Sequence, residues 1–164
     1  MPTSGIWNLI LWIHYLALVL WIGGITFFAA VTAPVIHRSM IAKALIGDIV
    51  SKILKRLNVV ELTACLTLIT TTLAAYHFSR GHDRELYGLI LVEITMGLIA
   101  LFYAYVLAPR MESLREKIPT LDMLSSNHAA KMEYERLHKI YVRLMSLNLA
   151  LGMVLLYASV AILK

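Results

Sequence analysis

One cysteine in 164 residues, Cys65, excludes an internal disulfide and any Cys-based metal knuckle, and so says nothing about the redox compartment. The stretch Met1 to Gly5 lacks Lys and Arg, and the apolar run after it is too long for the h-region of a signal peptide. The expectation is a retained first helix. Polar sequence is also short: once the segments fit for lipid are set aside, too little remains for a separate soluble domain. Residues 1–164 are therefore expected to form a single membrane domain. Apolar residues, by contrast, are abundant. They make up 60% of the chain, with a mean hydropathy of +0.76, above the roughly half-apolar composition of soluble domains.

Four apolar stretches approach the ~20 residues that a hydrocarbon core about 30 Å thick requires at about 1.5 Å per residue. They run from Ile6 to Ile36, Leu57 to Phe78, Leu86 to Ala108 and Ile140 to Leu163. Pro34 and Pro109 fall near the ends of the first and third, where a missing donor is tolerated and the chain can turn. Trp7, Trp12, Tyr87 and Tyr157 suit the membrane interfaces. The first connection and its flanks hold Arg38, Lys43, Lys52, Lys55 and Arg56, and the third holds Arg110, Arg115, Lys117, Lys131, Arg136, Lys139 and Arg143. The opposite side has only Arg80, Arg84 and Lys164. Twelve basic residues against three retain both long connections in the cytoplasm and put both termini outside. The net charge of +5 is thus a topology signal, with contact to the anionic lipid of the bilayer as its side effect; nucleic acid is not needed as a partner.

The predicted fold class is all-α: a polytopic, four-transmembrane-helix bundle with both termini outside and amphipathic cytoplasmic connections. The expected location is a cell membrane, specifically a bacterial inner membrane. Ile41 to Leu57 is amphipathic, and Ser125 to Lys139 carries helix formers into the fourth span, with Ser125 or Ser126 as the cap. An internal echo pairs Ala33-Pro34 with Ala108-Pro109 and Arg56-Leu57 with Arg136-Leu137, as a duplicated hairpin would.

Small and polar residues mark the faces on which helices meet in lipid. His14 shares a stripe with Ala17, Trp21 and Gly24; Glu93 shares one with Gly97, Ala100 and Ala104; His138, Tyr141, Met145, Asn148, Gly152 and Ser159 form a third. The second helix is ambiguous, with Glu61, Cys65 and Thr72 on one side and Thr63, Thr70 and His77 nearly opposite. Ionisable groups within a membrane are costly and are functional candidates by default. In the outer layer His14 and Glu93 enter from the same side to similar depth and can hydrogen-bond; His77, His82 and Met96 lie nearby. The inner candidates are His37, Glu61, His138 and Arg143. There an ion pair or a snorkelling arginine explains Glu61 and Arg143, while His37 and His138 are open to solvent, proton exchange or a second axial pair. His14 and His37 lie 23 residues apart, about 34 Å along a helix, too far to share a ligand. The outer layer therefore reads either as a His14–Glu93 staple between two helices or as a site for haem or a metal ion, copper first. Imidazole and thioether would be the ligands, and the carboxylate would orient the ring.

The run from Trp12 through His14 to Trp21-Ile22-Gly23-Gly24 and on to Ala33-Pro34 resembles the first helix of the family named after transmembrane protein 205. Leu107-Ala108-Pro109-Arg110-Met111-Glu112-Ser113-Leu114-Arg115 and Glu135-Arg136-Leu137-His138 with Asn148 resemble two further segments of it. That family is linked mainly to metal or drug tolerance. A looser similarity, a His followed by Trp-x-Gly-Gly, connects the first helix to copper-resistance protein D and to HemJ-type protoporphyrinogen oxidases. Only His14 inherits the haem or porphyrin handling implied there, since the third helix carries Glu93 and Met96 instead of the remaining HemJ pattern. The resemblance implies b-type haem with His14 as one axial ligand and His77, Met96 or an open position opposite it. His138, near the other membrane face, is excluded. A transporter or tolerance factor without cofactor, and an assembly subunit of a homo-oligomer or larger membrane complex, are the alternatives.

Overall fold

The computed structural model describes residues 4–38, 43–78, 84–118 and 128–163, and among these there is no strand. Helix α1 (Ser4–Phe27) passes through a π-helical segment (Phe28–Thr32) into α2 (Ala33–Arg38). Helix α3 (Lys43–Phe78) follows, and then α4 (Arg84–Phe102), which runs through a second π segment (Tyr103–Leu107) into α5 (Ala108–Lys117); α6 (Ala129–Ile162) closes the chain. Together they make four membrane-spanning units, Gly5–Arg38, Leu45–Phe78, Arg84–Lys117 and Ala129–Ile162, each of 34 residues. Such a helix is about 50 Å long, so each runs well past a hydrocarbon core of about 30 Å.

The two prolines do not end their helices, contrary to the expectation from sequence. A proline inside a helix removes one N–H and drives its ring against the carbonyl four residues back. Here the chain widens by one residue instead of turning: Ala33 N–H donates to Phe28 O and Ala108 N–H to Tyr103 O, both five residues back. The Ala-Pro echo is thus a shared local structure, a π turn ahead of each proline. Ser125 and Ser126 lie outside the described residues. The N-cap of α6 is His128, whose Nδ1 accepts from Ala130 N–H at 3.3 Å.

The spans form a ring, α1 beside α3, α3 beside α4, α4 beside α6 and α6 beside α1. Neighbours are antiparallel, since residue 14 meets residues 71 and 159 whereas residue 103 meets residue 61. The surface is apolar in every span, with Val19, Leu66, Leu91 and Val154 each about 60% exposed, while the interior holds polar groups. A water-soluble protein rarely exposes such a surface, and in lipid it is the expected one. Helix contact then depends on small residues: a Cβ on Gly97 would stand 2.7 Å from Cys65 Sγ, so α4 approaches α3 as closely as only glycine permits.

Candidate functional site

The interior is polar at two depths. In the layer nearer the chain termini, His14 is fully buried; its Nδ1 lies 2.9 Å from Thr71 Oγ and its Nε2 3.0 Å from Ser159 Oγ. The Thr71 hydroxyl proton is directed to the carbonyls of Thr67 and Leu68, each at 2.8 Å. Thr71 therefore accepts from His14 Nδ1–H, which leaves Nε2 to accept from the Ser159 hydroxyl and makes the ring the neutral Nδ1–H tautomer. One imidazole thus joins α1, α3 and α6. Next to Thr71, Thr72 donates to Glu93 Oε1 at 2.7 Å, and Glu93 is fully buried with Oε2 lacking a partner among the described residues. His14 and Glu93 both point into the bundle, as their stripes require. They are not bonded to each other in this arrangement: adjacent threonines of α3 face opposite neighbours and take one each.

The second layer is deeper. Glu61 is 1% exposed, its Oε2 accepts from the Tyr103 hydroxyl, and its Oε1 has no partner among the described residues. Asn148 Nδ2 donates to that hydroxyl at 3.3 Å and to the Met96 carbonyl at 3.2 Å. The Tyr141 ring packs on Tyr103 at 5.1 Å, and its hydroxyl donates to Asn58 Oδ1 at 3.3 Å. This resolves the ambiguity of the second helix. The face with Glu61, Cys65 and Thr72 is buried, whereas Thr63 and Thr70 face outward and bond back to the carbonyls of Val59 and Leu66. Neither buried carboxyl has a basic partner among the described residues.

The other sequence candidates separate. His77 is exposed beside Phe78, not in the layer with His14, because it lies on the outward face of α3. Arg143 is exposed on the outer face of α6 with Met132, Glu135 and Lys139, so it forms no pair with the buried Glu61. His138 is exposed and stacks on Tyr134, although its stripe partners Tyr141, Met145, Asn148, Gly152 and Ser159 are buried. His82 lies outside the described residues. Met96 is fully buried, with its methyl 3.6 Å from where a Cβ on Gly152 would stand. Gly152 is seven residues from Ser159, about 10 Å along α6, so the thioether is not at the level of His14.

Both His14 nitrogens are hydrogen-bonded in this arrangement, and the Met96 thioether lies a layer away from the ring. Among the described residues no three of His, Cys, Asp and Glu stand together. Tyr103, Thr71 and Asn58 were not singled out from sequence. Tyr103 was legible in principle, since Glu93, Met96, Ala100, Tyr103 and Leu107 continue one stripe, all of it buried.

At the basic end of the bundle a half-open cavity of about 490 Å³ is lined by α2, the N-terminal part of α3, α5 and the N-terminal part of α6. His37, Lys55, Arg115 and His138 line it together with Ile46, Leu54 and Met111, and Tyr141 joins it to the deeper polar layer.

Fold and site together define a multi-pass α-helical membrane protein with an apolar surface and two buried polar layers. The chain belongs to the family described as Domain of unknown function (DUF4149), whose model matches residues 16–119, more than half of its length. The match takes in most of the first three spans and leaves His14 and the whole of α6 outside. No curated protein and no solved structure matches the chain.

Proposed function

We propose that this chain is a proton-binding membrane protein of the transporter class, in which Glu93 and Glu61 take up and release protons inside the bundle. The observation that carries the reading is the state of the two carboxyls. Each is buried, holds one hydroxyl donor from a neighbouring helix, keeps one oxygen unpartnered and has no cation beside it among the described residues. A carboxylate in that setting costs several kcal/mol, and a proton is the smallest ligand that removes the charge. Carboxyls retained inside membranes at such cost mark ion and proton pathways.

The test is infrared spectroscopy of reconstituted protein during a pH titration, with Glu93→Gln and Glu61→Gln. Wild type is expected to show deuterium-sensitive bands of protonated carboxyls that fade as pH rises, each variant removing one. A folded protein without such a band at any pH would overturn the proposal. In vesicles carrying an internal pH dye, both variants are expected to slow proton uptake; uptake unchanged in both would remove the transport part.

A further inference from the structure

The cavity at the basic end is not part of the carboxyl layers, and its lining is of mixed chemistry. Ile46, Val50, Leu54 and Met111 supply apolar surface, and Arg115, His37 and His138 supply basic groups. Three acidic groups also line it. Asp48 is offset by Lys52 at 2.8 Å and Glu112 by Lys55 at 2.7 Å, which leaves Glu116, exposed at the end of α5. The Arg115 guanidinium is held in place: it lies 5.1 Å from the Tyr134 ring centre and covers Gly47, where any Cβ would overlap it. A glycine at a buried helical position, where alanine would favour the helix, fits a requirement for the guanidinium at that spot. With five N–H donors in a rigid fork, it can donate to a carboxylate or phosphate in addition to its other contacts.

We propose that this cavity binds a single-chain anionic amphiphile, with its acidic head on Arg115 and His138 and its chain along Ile46, Val50 and Leu54. The volume suits one small ligand. The spans that line the cavity are longer than a hydrocarbon core of about 30 Å, and at their basic ends an amphiphile can keep its chain in lipid until it enters. The binding does not depend on proton uptake at Glu61 or Glu93.

Native mass spectrometry of the full chain, released from an uncharged detergent, tests this with three probes: oleate, oleyl alcohol and inorganic phosphate. Oleate is expected to give a saturable one-to-one adduct, and oleyl alcohol to bind about tenfold more weakly, the usual loss when a charge-assisted hydrogen bond is removed. Phosphate is expected not to displace oleate. Arg115→Gln and Gly47→Ala are expected to weaken oleate about tenfold with helical circular dichroism retained. Lys139→Gln, outside the cavity, is expected to leave it unchanged. Equal binding of acid and alcohol, adducts that never saturate, or an oleate adduct unaffected by Arg115→Gln would overturn the proposal. Displacement by phosphate would reduce the site to one for a free anion, and would overturn it as a site for amphiphiles.

Discussion

At the scale of single residues one imidazole ties three helices: His14 of α1 donates to Thr71 of α3 and accepts from Ser159 of α6. The two partners are not equivalent. Thr71 keeps its own hydroxyl bonds to α3 carbonyls when the ring is absent, whereas Ser159 loses the acceptor for its proton. Ser159→Ala is expected to cost about 1 kcal/mol, a single net hydrogen bond. His14→Ala is expected to cost about 2–4 kcal/mol, through a cavity and an unpaired hydroxyl at once. The double variant should fall short of the sum, because each substitution removes the same bond. Thermal unfolding of the purified variants in detergent measures all three, and strict additivity would count against the bond.

At the scale of elements, the two π turns decide which side chains line which site. A π segment holds one residue more than the α-helix it replaces and so offsets the faces before and after it by about 100°. In the third span this offset relates Glu93, Met96 and Ala100 to Glu112 and Arg115. Removing exposed Tyr105 from the π segment together with Pro109→Ala should let the helix close as α with both faces kept, so the bundle should remain folded. Removing equally lipid-facing Leu98, in the α-helical part, should rotate everything beyond it by about 100° and unfold the bundle. Size-exclusion profiles and melting temperatures of the two deletions make the comparison; similar damage from both would mean that the π turn does not hold the extra residue.

At the scale of the whole molecule, four antiparallel spans place both termini at one end and the basic residues at the other. If Lys and Arg are retained in the cytoplasm, the expected orientation has the termini outside. Cys65 is buried, so it can stay in place as a silent background for labelling. A cysteine introduced at residue 120 should be protected from a membrane-impermeant maleimide on intact cells, and one at residue 81 should react. The opposite pattern would invert the protein and place the amphiphile cavity on the other face.

Composition and pattern by themselves determined the solvent, the number of spans and the inward faces of the first, third and fourth spans, but not of the second. Hydrophobic length and the grouping of small residues with His14 and Glu93 are properties of each helix alone, which one sequence displays. Partner choice is a property of pairs. That Thr71 takes His14 while Thr72 takes Glu93, and that Tyr103 rather than Arg143 reaches Glu61, depends on helix rotation and depth. Glycine contacts and π turns set these; the stripes show which glycines face inward but not which helix each one meets. The cavity depended still more on tertiary structure, because its lining comes from four separate helices whose juxtaposition no local pattern encodes.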